Sequence, residues 1–193
     1  TLSSTFVMRR TSVTLEGLAD GGSEPQTSIT FDGGAQIVGL QITGNYNQVR
    51  RLRFSGFVPN AIRIEGGGFD AGTGIGNILG MDGGLARDQI AVSGTTFPGI
   101  FSADSPCLGA AICIRGNGAS GNIIESATLT DNFVGVEIID SAHKNTVRGC
   151  TITGSTGFGI LVARGRDPAL AAFGYVYNFP NNLIGNTIRL SGI

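Results

Sequence analysis

Residues 122–130 read Asn-Ile-Ile-Glu-Ser-Ala-Thr-Leu-Thr, and residues 145–153 read Asn-Thr-Val-Arg-Gly-Cys-Thr-Ile-Thr. In each stretch an asparagine is followed by apolar or small residues at +2, +5 and +7. These are Ile124, Ala127 and Leu129 in the first, and Val147, Cys150 and Ile152 in the second. Asn47 gives the same offsets with Val49, Leu52 and Phe54, and Asn186 gives Ile188, Ser191 and Ile193. Asn77 begins alike with Leu79 and then departs. Self-similarity at this period is the mark of a solenoid, in which each unit buries its apolar face only by stacking on the next.

The pattern runs on past +7. Ile62 and Ile64 follow Asn47 at +15 and +17, and Ile160 and Val162 follow Asn145 at the same offsets. Val136 and Ile138 follow Asn122 one residue early. Inward residues two apart define a strand, so each unit reads as three short strands. The 23 residues from Asn122 to Asn145 are one coil. Longer spacings elsewhere imply insertions, placed at 80–89, 95–110 and 163–181.

The phrases Gly121–Asn132, Lys144–Val162 and Gly185–Ile193 resemble the right-handed parallel β-helix. The nearest group is the pectate-lyase-like carbohydrate-binding and sugar-hydrolase repeats. The resemblance spans roughly residues 10–193. It implies an all-β, single-stranded solenoid with three strands per coil and 6–7 coils, read as one domain over residues 1–193. It implies no single activity. The same coils serve lyases, hydrolases, epimerases, phage tailspikes, adhesins and passive spacers.

Stacked coils put equivalent residues about 4.8 Å apart. Asn47, Asn77, Asn122, Asn145 and Asn186 are therefore expected to form an amide ladder at one turn, each side chain bonded to its neighbours above and below. Glycines before Asn77, Asn122 and Asn186 suit a turn with positive φ. At the front of the chain Val13 and Leu15, Ile29 and Phe31, then Ile37, Leu40 and Ile42 read as inward pairs, with a loop at Asp20–Gln26. One short helix is expected at Asp167–Ala172, with Asp as N-cap and Pro168 at the first helical position. Thr1–Arg10 carries no signal-peptide pattern. Ile193 falls within a coil, so the chain is expected to be a segment of a longer protein or a subunit that stacks end to end.

The 193 residues include 32 glycines, no tryptophan, 13 basic and 14 acidic side chains, for a net charge of −1. That balance argues against a dedicated nucleic-acid partner. No apolar run reaches 18 residues, so no membrane insertion is expected. Cys150 at +5 reads as a buried small hydrophobe. Cys107 and Cys113 flank a five-residue stretch; a disulfide there would pin a loop and fit an extracellular setting, and two free thiols are the alternative. With His143 the only histidine, no ligand set has metal spacing, and neither metal nor cofactor is expected.

Catalysis on this kind of scaffold needs either carboxylates at set distances or a base beside a group that neutralises an acidic sugar. Closely spaced Asp pairs and Gly-His-Gly are missing. Asp140-Ser141-Ala142-His143 matches the Asp-Pro-His of epimerases of this fold only in its Asp and His. The outward +3 position holds Arg50, Gly80, Glu125, Arg148 and Arg189, a column if the coils stack in register. Beside it His143 and Lys144 precede Asn145. Lys144, His143 and Arg148 are the catalytic candidates, and Arg189 and Glu125 the binding candidates. A solvated charged ladder, with His143 and Lys144 filling a turn, is the favoured reading of the same residues.

The 163–181 insertion alternates Phe173, Tyr175, Tyr177 and Phe179. Tyr175 and Tyr177, with Arg164 and Arg166, are candidates for stacking on sugar rings or contacting a partner; a hairpin packed on the solenoid is the alternative. Three functions follow. The first is a non-catalytic extracellular or cell-surface scaffold (stalk, adhesin or filament subunit) with glycan, polysaccharide or end-to-end subunit contacts. The second is a lyase or epimerase acting on an acidic polysaccharide. A phage tailspike fragment is a third.

Overall fold

Successive side chains of a strand point to opposite faces, so each short strand sends one set of residues inward. In a computed structural model eighteen such strands wind into a right-handed parallel β-helix with three strands per coil. The structure describes residues 4–17, 30–32, 38–66, 76–80, 90–96, 107, 109–140, 142–162 and 181–190.

Three all-parallel sheets of six strands each form the walls, giving six coils. The first sheet stacks β1 (Phe6–Met8), β4 (Leu40–Ile42), β7 (Ile62–Ile64), β10 (Ala110–Arg115), β13 (Val134–Ile139) and β16 (Phe158–Val162). The second stacks β2 (Thr14–Glu16), β5 (Gln48–Arg50), β8 (Ile78–Leu79), β11 (Ile123–Glu125), β14 (Thr146–Arg148) and β17 (Asn182–Ile184). The third stacks β3 (Thr30–Asp32), β6 (Leu52–Ser55), β9 (Ile90–Ser93), β12 (Thr128–Thr130), β15 (Thr151–Ser155) and β18 (Thr187–Leu190). No helix occurs among the described residues, so none there is long and apolar enough to cross a membrane.

The interior is a set of continuous apolar columns. Val49, Leu79, Ile124 and Val147 line the second sheet, and Phe54, Val92, Leu129 and Ile152 line the third. All eight are buried. Phe31 stacks on Phe54 with ring centroids 5.0 Å apart, adding the offset-stacking contribution of aromatic pairs to the area they bury.

Left-handed residues recur in the turns among the described residues. Positive φ recurs at Ser12, Tyr46, Gly121 and Lys144 before the second sheet. It recurs at Arg51, Ser126, Gly149 and Gly185 between the second and third, and at Gly56, Gly94, Asp131 and Gly154 after the third. Five of the first eight are not glycine, so stacking imposes a conformation that those side chains do not favour.

Several local expectations are corrected by the register. β1 was not anticipated. Val13 is exposed and sits opposite the asparagine column, its N–H donating to Asn47 Oδ1 at 2.9 Å. The coil that departs after Leu79 resumes at Ile90 and Val92, which take the Leu52 and Phe54 positions. Asn186 precedes β18, whose Thr187 pairs with Thr151, so it lies level with Cys150 and not with Asn145. Its Oδ1 accepts the Cys150 N–H at 3.0 Å. The place on Asn145 is filled by Asn181, whose Oδ1 accepts the Asn145 N–H at 2.9 Å. Ala110 and Asn181, assigned to insertions from sequence, thus belong to the coils. Ile29, Ile37, the Asp20–Gln26 loop and the Asp167–Ala172 helix candidate lie outside the described residues.

Candidate functional site

Two faces of the solenoid gather charge. The first is the outer face of the second sheet. Register pairing sets Glu16 beside Arg50 and Glu125 beside Arg148. Arg148 Nη2 donates to Glu125 Oε2 at 3.1 Å, and Nε lies 2.9 Å from Oε1. Glu16 is held by Arg50 and by Arg51, each at 2.8 Å. Glu125 is 7% exposed, so its carboxylate is largely out of water and depends on the guanidinium for compensation.

The remaining sequence-named residues separate. Arg189 pairs with Thr153 on the third sheet, away from this column; the misplacement has the same origin as that of Asn186. His143 is half-buried and forms a parallel bridge with Ser120; its N–H donates to the Ala119 carbonyl at 3.3 Å. Lys144 is exposed and holds φ 54°, the left-handed position of its turn. Tyr175, Tyr177, Arg164 and Arg166 lie outside the described residues.

The asparagine column is an interior feature. Asn47, Asn77, Asn122 and Asn145 are fully buried. The N–H groups of Asn47, Asn77 and Asn122 each donate to the side-chain oxygen of the next asparagine at 2.9–3.0 Å. A second polar column crosses the turn after the third sheet. There Asn132 Oδ1 accepts from Thr95 N at 3.0 Å and from Thr95 Oγ1 at 2.9 Å. Sequence reading missed this second column because a threonine and an asparagine share one position.

The second charged face, on the outside of the first sheet, also went unnoticed. One outward column runs Val7, Gln41, Arg63, Cys113, Glu137 and Leu161. Arg63 Nη2 donates to Asn60 Oδ1 at 3.2 Å, Gln41 Nε2 donates to Glu65 Oε2 at 2.6 Å, and Arg115 Nε donates to Asp140 Oδ2 at 2.7 Å. Burial lowers the Arg63 pKa from its ordinary value; neighbouring Glu65 opposes the shift and Arg115 adds to it. The signal was present. Arg63, Cys113 and Glu137 stand between inward pairs such as Ile62/Ile64 and Val136/Ile138, where alternation sends them outward.

Cys107 and Cys113 are joined as a disulfide, their Cα atoms 6.2 Å apart. Glu137 is packed beside them, only 2% exposed. Cys150 is free and buried. Burial pushes its thiol pKa up to about 11, against smaller lowering contributions from hydrogen bonds to the backbone of Ala127 and Arg148. It is therefore a neutral thiol at physiological pH and a poor nucleophile.

No family model, curated protein or solved structure matches the chain.

Proposed function

We propose that this chain is a non-catalytic β-helix scaffold of an extracellular or cell-surface structure: a stalk, adhesin or filament subunit. Its contacts would be with a glycan, a polysaccharide or further copies of itself. The observation that carries this reading is the Arg148–Glu125 ion pair between adjacent coils. The arginine that would hold an acidic sugar is engaged by a buried carboxylate, and Arg50 is engaged in the same way by Glu16. Lys144, the base candidate, occupies the turn position that Ser12, Tyr46 and Gly121 fill elsewhere. These groups knit coil to coil. The disulfide fits an oxidising setting.

The test is a panel of acidic polysaccharides incubated with the wild-type chain and with the Arg148→Ala and Lys144→Ala variants. No unsaturated or epimerised product from any of the three, with lowered stability only in Arg148→Ala, supports the scaffold. Turnover by wild type that either substitution abolishes without loss of fold overturns it.

A second reading, a lyase or epimerase on an acidic polysaccharide, draws on the first sheet. There Arg63 is a largely buried guanidinium with Glu65, Arg115 and Asp140 in the same cluster. Cation and carboxylates side by side on one face are the groups such chemistry uses. Arg63→Ala in the same assay distinguishes it: activity lost there and kept in Arg148→Ala moves the site to this face.

A further inference from the structure

Cys113 on β10 and Glu137 on β13 are register partners on adjacent coils and leave the first sheet on the same side. Cys107 is joined to Cys113 by the disulfide. The two sulfurs and a Glu137 carboxylate oxygen all lie within 4.8 Å of one another, and all three residues are buried. Around them pack Ala110, Val134 and Ile139, with Phe133 and Leu161 at the edge. Two sulfurs and a carboxylate oxygen drawn together in an apolar pocket are a donor set for a metal ion once the sulfurs are thiolates.

Sulfur–sulfur–oxygen donors favour a borderline-soft ion that accepts thiolate and carboxylate together, and among common divalent ions that is zinc. Zinc–sulfur bonds of about 2.3 Å and zinc–oxygen bonds of about 2.0–2.2 Å place tetrahedral ligand atoms roughly 3.5–3.8 Å apart. In the oxidised chain the two sulfurs are bonded to each other, so reduction has to let them move apart to that spacing before an ion can enter between them and Glu137. The apolar shell would exclude bulk water and strengthen the electrostatic attraction. Glu137 makes a further interaction with its surroundings, as orienting contacts to metal-ligating carboxylates do.

We propose that the reduced form of this cluster is a zinc site, with Cys107, Cys113 and Glu137 as protein ligands and a water at the fourth corner. The disulfide form cannot ligate, because neither sulfur carries a thiolate charge. Reduction by a water-soluble trialkylphosphine gives two thiols, with the phosphine oxidised to its oxide and water supplying the oxygen and both protons. Binding of the ion then releases one proton from each thiol. The redox state of the pair thus decides between a covalent staple and a metal centre.

The experiment uses the full chain, oxidised or phosphine-reduced, titrated with zinc against a chromophoric chelator, and with cobalt(II) as a spectroscopic substitute. The expected result is one zinc per reduced chain, with cobalt giving sulfur-to-metal charge-transfer absorption. The oxidised chain should show neither. Glu137→Gln should weaken zinc binding by at least about tenfold while still forming the disulfide in air. Cys107→Ser should abolish the charge-transfer band, and Cys150→Ala should leave stoichiometry and affinity unchanged. The proposal is overturned if reduced wild type shows no binding at micromolar zinc, if Glu137→Gln binds as wild type does, or if the cobalt band depends on Cys150. Circular dichroism on each variant ensures that loss of binding is not loss of fold.

Discussion

The side-chain oxygen of Asn145 accepts two hydrogen bonds from Asn122, one from its backbone N–H at 3.0 Å and one from Nδ2 at 2.9 Å. The same double contact joins Asn77 to Asn122, at 2.9 and 3.0 Å. Each amide therefore cross-links two coils through an oxygen with both lone pairs used. Nδ2 of Asn145 also reaches the Ala119 carbonyl at 3.0 Å. At full burial, every one of these groups would cost free energy if left unpaired.

Replacing Asn145 by Ala removes the acceptor for two donors of Asn122 and the donor for one carbonyl, all buried. The expected loss is about 2–4 kcal/mol in unfolding free energy, read from the midpoint of a urea transition. A change below about 0.5 kcal/mol would show that the column is not holding the coils together.

Arg148→Ala leaves the Glu125 carboxylate buried without its partner. We expect a loss of about 1–3 kcal/mol at neutral pH. Adding Glu125→Gln to that variant should recover part of it, because the uncompensated charge is gone. A double-mutant cycle measures the coupling, and strictly additive losses would mean that the two residues stabilise the coils independently.

The free thiol sets an alkaline limit. Cys150 has its folded pKa raised from 9.0 to about 11. Between these values the unfolded chain has lost the proton while the folded chain retains it, so the unfolded state binds fewer protons and stability falls as pH rises. The contribution is complete below pH 9 and declines from there to about pH 11, by at most about 1.4 kcal/mol per pH unit. Cys150→Ala should flatten that part of the stability profile. Native protein should resist a thiol-directed reagent at pH 8 and react once unfolded; rapid modification of the folded chain would contradict the burial.

Lys144 occupies a left-handed conformation with its side chain in solvent. Glycine adopts that conformation without the side-chain penalty, at some cost in chain entropy. Lys144→Gly should therefore raise stability by about 0.5–1 kcal/mol, and Lys144→Val should lower it. If glycine destabilises the chain instead, the lysine side chain contributes contacts that outweigh its strain.

The repeat unit was legible because burial in a solenoid is periodic. Val49, Ile124 and Val147 recur at one offset from an asparagine, and any break in that pattern would put a polar group in the core. The outward residues were legible only as a parity. Arg63, Cys113 and Glu137 are separated by long stretches of chain, and nothing local says that they share a column. Insertions defeat offset counting, which is why Ile90 and Val92 went unassigned. It is also why Asn186, followed by a convincing Ile188, was placed one turn away from where it lies.

What the sequence determined by itself was the architecture: coils of three strands, with an apolar interior and buried asparagines at a turn. Hydrophobic periodicity and the cost of unpaired buried amides leave few other solutions. What only the tertiary structure decided was adjacency. Stacking register chose Asn181 over Asn186, paired Arg148 with Glu125, and set Glu137 against the Cys107–Cys113 sulfurs. Contacts between coils depend on how many residues each turn absorbs, and that is settled by packing across the axis rather than by any local pattern.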